Sequence, residues 1–203
     1  ISYEYSARSY LRTCCSAWIP RANGNRQQQR AEERALDAVI SEQKYDYLVL
    51  ELSSFQLHWS DQLRLHSAAI LNIADDHLDW HGTFAEYLAA KKRITDGANL
   101  IIINRDDRHL NSLEFNDDQR VVKFTLDAPR PGEIGVVEEL LVDRAFVTDP
   151  QEAAMIAEVV DVTPTVPHNV ANALAAAGLA RAIGVSHEAI RLALQKFKLG
   201  RHR

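Results

Sequence analysis

The chain changes character near residue 31. Before that point apolar residues recur with no clear period; beyond it they fall into blocks whose spacing predicts definite elements. Over 31–43, Ala35, Leu36, Val39 and Ile40 share one face at helical spacing, which predicts a helix. Tyr47 to Leu52 is a short, nearly continuous apolar run, the pattern of a strand covered on both faces of a parallel sheet. Ala68 to Ile73 repeats the pattern, Leu100 to Ile103 gives a third such strand, and Val121 to Leu126 a fourth of mixed polarity. Between the second and third, Thr83 and Glu86 stand at capping-box spacing and open a helix that runs to about Gly97. Strand and helix in alternation predict an α/β fold, a mostly parallel sheet flanked by helices with right-handed crossovers. Over 127–150, Pro129, Pro131, Gly132 and Gly135 predict short strands and turns at a sheet edge. Two helices follow Pro164 and Pro167. Asn169 to Ile183 is Ala-rich and closed by Gly184, and Ser186 to Lys198 sets Ile190, Ala193, Leu194 and Phe197 on one face.

Composition narrows the class without naming a function. The chain has 203 residues, 46% hydrophobic and 25% charged, with a net charge of −5, enough to bury a core in one large or two small domains. A disordered polyelectrolyte and a disulfide-dense mini-protein are excluded. No apolar run reaches the roughly 18 residues of a membrane span. Cys14 and Cys15 are adjacent and cannot join distant parts of the chain, and no secretory segment is evident, so the expected compartment is the cytoplasm. Residues 1–30 hold Arg8, Arg12, Arg21, Arg26 and Arg30 against Glu4 alone, a net of +4 that leaves −9 for the remainder. These arginines share no helical face, so 1–30 reads as an atypical basic leader without fixed structure, and 31–203 as the α/β domain. An acidic body argues against nucleic acid as a partner. None of the 8 glycines precedes a lysine, so G-x-x-x-x-G-K-[ST] is missing, and G-x-G-x-x-G is missing too. The principal phosphate loop of any nucleotide site is therefore not in this chain.

Five places carry candidate chemistry. Glu51 ends the first apolar run, where open parallel sheets bind ligands and nucleotide-hydrolysing folds keep a magnesium-associated acid. A solvated strand-end glutamate is the plain alternative; the polar stretch Ser53-Ser54-Phe55-Gln56 just after a core strand favours a site. Asp75, Asp76, His77, Asp79 and His81 follow the second run closely enough to hold a hard cation, or merely to cap the coming helix. Lys91 is placed by geometry. With Phe84 as the origin, Tyr87 falls near about −60°, Leu88 near about +40° and Lys91 near about −20°, so this lysine lies mid-face among apolar residues. It must be paired, neutralised, chemically used, or extended along the surface to solvent. In Pro167-His168-Asn169-x-x-Asn172, Asn169 reads as the helix N-cap, and Asn172 faces the same way one turn later, so the two amides could bracket a nucleotide. Gly200-Arg201-His202-Arg203 is a basic terminus after a helix.

These residues together resemble one family, the Mur ligases of peptidoglycan precursor synthesis, in its D-glutamate-adding branch. Leu50-Glu51-Leu52-Ser53-Ser54-Phe55-Gln56-Leu57 resembles a signature of that branch, and Ile70 to Arg93 its metal-and-lysine segment. Asn104-Arg105-Asp106-Asp107, His168-Asn169-x-x-Asn172-Ala173 and Gly200-x-His202-Arg203 are similar to the family's later motifs in the same order. The resemblance implies an ATP-dependent carbon–nitrogen ligase that joins D-glutamate to UDP-N-acetylmuramoyl-L-alanine, with ATP and Mg2+ as cofactors, monomeric when intact. Glu51, His77 and Lys91 would be catalytic and hold magnesium, Lys91 as a carbamate. Ser53 and Gln56 would contact the UDP-muramoyl substrate, and Asn169, Asn172 and Arg203 would contact ATP. The family's phosphate loop and its flanking uridine- and amino-acid-binding domains have no counterpart here, so the expectation is a partial central domain unable to complete catalysis by itself. A folate polyglutamate synthase and a non-catalytic nucleotide- or metal-binding remnant are the competing readings.

Overall fold

The computed structural model describes residues 46–60, 63–74, 76–149 and 151–197. The basic leader, the helix expected over 31–43, Asp75 and Arg203 lie outside the described residues.

Its centre is strand β2, Ala98–Asn104, which sits between β1, Leu65–Ile70, and β3, Arg120–Phe124, in parallel register. Ile101 and Ile102 are fully buried yet point to opposite faces, since successive side chains on a strand alternate. Both faces are covered, and that is why the strand reads as an unbroken apolar run rather than an alternating one. β4, Glu133–Val137, extends the parallel ladder. β5, Leu140–Asp143, and β6, Ala154–Glu158, then close the sheet with antiparallel pairings, in the order β1 to β6. The expected mostly parallel sheet with a small edge region is present. β6 was not anticipated: Ala154-Met155-Ile156-Ala157-Glu158 lacks the branched run that marks the inner strands.

Helices cover the two faces. α3, Phe84–Lys92, and the single turn α4, Arg108–Asn111, enclose the cluster of Ile101, Ile103, Ala68, Ile70, Tyr87 and Leu110. α5, Pro167–Ala182, lies against Leu100, Ile102, Val122 and Ile134 on the other face. It comes so close that a Cβ on Gly178 would stand 2.8 Å from Ile102 Cδ1 and 3.2 Å from Ile134 Cδ1. Gly184 ends the helix with φ +83, as its position after the last periodic residue predicts. Ser186 caps α6, His187–Lys196, by accepting a hydrogen bond from Ala189 N. Buried Asp143 fastens this corner: Oδ1 accepts from Ala145 N and Phe146 N at 2.8 Å, while Oδ2 meets His187 Nε2 at 2.8 Å and Arg181 Nε at 3.3 Å.

Three expectations need correction. The second strand ends at Ile70, three residues early, because Leu71 and Asn72 turn out to solvent and Ile73 N donates instead to Asp107 Oδ2 at 2.7 Å. Tyr47 to Leu52 forms no strand: Tyr47, Leu48 and Leu50 are 48%, 47% and 40% exposed, and an apolar run uncovered on its faces lacks what holds a buried strand in place. Asn169 is not the N-cap. Val166 takes that place, Pro167 is the first helical residue, and Asn169 Nδ2 donates to Pro164 O at 2.8 Å. Among the described residues no helix is long and apolar enough to cross a membrane.

Candidate functional site

Parallel strands β1 to β4 end at one edge of the sheet, and the loops 71–77, 105–107 and 125–132 gather there. β6 points the same way, so the first turn of α5, with Asn169 and Asn172, starts from that edge. The cleft at the opposite edge, about 470 Å3 between Arg64, Asp96, Asn116 and Asp118, is lined by none of the candidate residues.

The segment 51–60 lies outside the sheet and packs against α3 and the turn Arg93–Thr95 that follows it. Ser53 caps the short helix α1, Ser54–Trp59, in a reciprocal box: Gln56 N donates to Ser53 Oγ at 3.3 Å, and Ser53 N donates to Gln56 Oε1 at 2.8 Å. Both residues expected to contact substrate therefore belong to one rigid turn. Glu51 lies just before it in extended chain, not at the end of a sheet strand, and its exposed carboxylate acts on Lys91.

His77 follows a polar loop and adopts φ 55 and ψ 29, a left-handed conformation uncommon for a residue with a side chain. Its backbone N–H donates to Asp76 Oδ1 at 2.9 Å, and its ring lies 4.8 Å from that of Phe55. Glu138 shares that φ in the turn between β4 and β5, so the conformation by itself does not mark a site. His77 also occupies the N-cap position of α2, Leu78–His81, but its side chain makes no capping hydrogen bond there.

Thr83 caps α3 as the sequence predicts, accepting from Glu86 N at 3.2 Å. Lys91 leaves the inner side of its last turn, half-buried, with Nζ 5.7 Å from the centre of the Tyr87 ring. Burial pushes its ammonium below the ordinary lysine range, and the Asp76 and Glu51 carboxylates oppose that shift. Burial, and then Asp76, pushes the Tyr87 phenol up. Glu51, Asp76 and Lys91 thus share one electrostatic neighbourhood, although 40 positions of chain separate the first from the last.

The acidic cluster does not close as a cage: among the described residues no three His, Cys, Asp or Glu side chains gather around a metal position. Asp79 is exposed, and His81 turns inward, its Nε2 2.9 Å from Ser54 Oγ. Sequence spacing could not show that inward turn. Asp107 was likewise missed as an individual residue. It caps α4 through His109 N and Leu110 N while binding Ile73 N, and so pins the start of the His77 loop. Asn172 is exposed on α5, and Asn169 Nδ2 turns to Pro164 O rather than toward the Lys91 neighbourhood.

A parallel-sheet domain with a polar loop cluster at its carboxyl edge defines a ligand-binding α/β protein. A sequence profile of the Mur ligase middle domain matches residues 16–180, and the chain belongs to that family. The match opens inside the basic segment 1–30. A UDP-N-acetylmuramoylalanine–D-glutamate ligase of Streptomyces coelicolor is 53% identical over 174 residues, 83% of this chain and 37% of that protein. The similarly named protein of Mycobacterium tuberculosis is 44% identical over 164 residues, 81% of this chain and 32% of that one. The fold is similar to MurF of Acinetobacter baumannii, with a TM-score of 0.60 at 21% identity, over 98% of this chain and 44% of that one. The chain spans about a third of the length of these curated relatives.

Proposed function

We propose that this chain is the middle domain of an ATP-dependent ligase that joins D-glutamate to UDP-N-acetylmuramoyl-L-alanine in the cytoplasm. The observation that carries the reading is the convergence of Glu51 and Asp76 on half-buried Lys91, in a chain 53% identical to a ligase of that name.

The roles divide among the residues by chemistry. The turn closed by Ser53 and Gln56 presents polar groups of fixed orientation to the nucleotide-sugar substrate. Asn169 and Asn172, at the start of α5, offer amides to ATP where the helix N-terminus favours negative charge. Glu51 and Asp76 carry carboxylate oxygen and His77 an imidazole nitrogen, donor types a hard divalent cation accepts, although these side chains do not gather around one point in this structure. Glu51 and His77 would hold magnesium, joined by Lys91 once carbamylated. An ion held there would supply positive charge against phosphate oxygens. Lys91 suits that modification because carbamylation needs a neutral amine, and burial favours the neutral form.

The test is a chimera in which residues 46–197 replace the matching segment of the Streptomyces coelicolor relative. D-glutamate should support phosphate release with UDP-N-acetylmuramoyl-L-alanine, and the product mass should include one glutamyl residue. A chimera that folds but works only with a folate acceptor, or only binds ATP, would overturn the reading.

A further inference from the structure

The buried contact between α1 and α2 has no part in the roles above. His81 and Ser54 are 7% and 3% exposed, and Nε2 of one lies 2.9 Å from Oγ of the other across 27 positions of chain. Apolar side chains could fill the same space without needing a partner; a polar pair holds one orientation, because a buried polar group left unpaired forfeits its hydration with nothing in return. The His81 ring stacks on Phe55 at 5.6 Å and 15°, and meets Tyr87 edge-on at 5.4 Å. Tyr87 in turn lies under Lys91 Nζ at 5.7 Å. On the Ser54 side, the reciprocal cap joins Ser53 and Gln56, so fixing Ser54 fixes that turn. The far end of α1 is held separately, by Arg93 Nη1 donating to His58 O at 2.7 Å.

We propose that His81 is a positioning residue. Through Ser54 on one side and Tyr87 on the other, it sets the Ser53–Gln56 turn at a fixed distance from Lys91. The proposal rests on the ligase reading only for what that turn binds. Without the His81 contact, α1 keeps its Arg93 attachment and pivots about it, so its N-terminal turn shifts while the sheet stays intact.

The experiment uses the 203-residue chain and two variants that break the bond from opposite sides, His81→Phe and Ser54→Ala, with Ala90→Gly as a destabilising control. In two-dimensional NMR both variants should move the Ser53 and Gln56 amides and the Lys91 side-chain methylenes together, whereas the control should leave the Ser53 and Gln56 amides in place. Titration with UDP-N-acetylmuramoyl-L-alanine should weaken about tenfold in both, and His81→Gln, which keeps an N–H, should recover part of the loss. Resonance changes confined to residues touching the substituted side chain would overturn the proposal, even if affinity fell. The unaltered chain spans about a third of its relatives. Should it bind no UDP-sugar, the titration is repeated in the ligase chimera, where no binding would sink the substrate reading, and the resonances still decide the positioning. If His81→Phe does not fold, Ser54→Ala alone carries the same two outcomes.

Discussion

The two faces of β2 lead to different kinds of protein. Among the described residues, Leu100 and Ile102 on the α5 side belong to a cluster of 17 buried residues, mostly alanine and branched side chains. Ile101 and Ile103 on the α3 side belong to a cluster of 8, and beyond them the chain becomes aromatic, histidine-rich and half-exposed up to Lys91 and Glu51. One face holds the fold and the other carries the chemistry. Polar groups with shifted titration can persist on the second because the first supplies the cohesion. The exception on the stable face, Asp143, has every charge and backbone donor around it accounted for.

Substitutions that break this contrast should rank accordingly. Asp143→Ala strands Arg181 and His187 beside an emptied buried site, and should cost about 3–5 kcal/mol, read from the urea midpoint. Ile102→Ala should cost about 3–4 kcal/mol and Ile101→Ala about 1 kcal/mol less, because the thinner face relaxes around its cavity more easily. Equal losses would show that the faces do not differ. Gly178→Ala pushes a methyl against Ile102 and Ile134 and should cost about 1–3 kcal/mol, which Ile102→Val should partly relieve.

On the chemical face the sign reverses. Lys91→Met exchanges a half-buried ammonium for a thioether and should stabilise by about 1 kcal/mol at neutral pH. The folded Lys91 titrates below its ordinary 10.5, so the unfolded chain holds more protons between the two values. Stability from this group is complete above 10.5 and is lost as pH falls through the folded value; the Met variant should lack that rise. The smallest effect concerns Asp161. Burial raises its carboxyl, but hydrogen bonds from Gln195 and the Glu158 backbone, with the Arg191 charge, outweigh burial and hold it below 3.8. Its stabilising contribution is present above 3.8 and lost as pH falls through the lower folded value. Asp161→Asn should flatten that part of the acid limb in a stability–pH curve.

The stable face was legible in the sequence because its signals are local. Leu100 and Ile102 within one strand and Gly184 within one turn stand within a few residues of their expected places, and on the other face the Thr83–Glu86 cap is as local and as legible. Tyr47 to Leu52 shows the limit of such signals. An apolar run states what should be covered and not what covers it, and these residues stand outside the sheet. Lys91 was legible from helical phase alone, since its inward position needs only the angles of Phe84, Tyr87 and Leu88. Asp107 and His81 were not, because their partners, Ile73 and Ser54, lie 34 and 27 positions away. Spacing in sequence carries no trace of such pairings.

The separation of fold from chemistry is tested most directly by His77→Ala in the ligase chimera, with D-glutamate-dependent phosphate release and the melting temperature measured on the same preparation. The chemical face should lose its function alone: release falls at least about a hundredfold, and the melting temperature stays within about 2 °C. Undiminished release, or a melting temperature that falls in step with activity, would contradict the account.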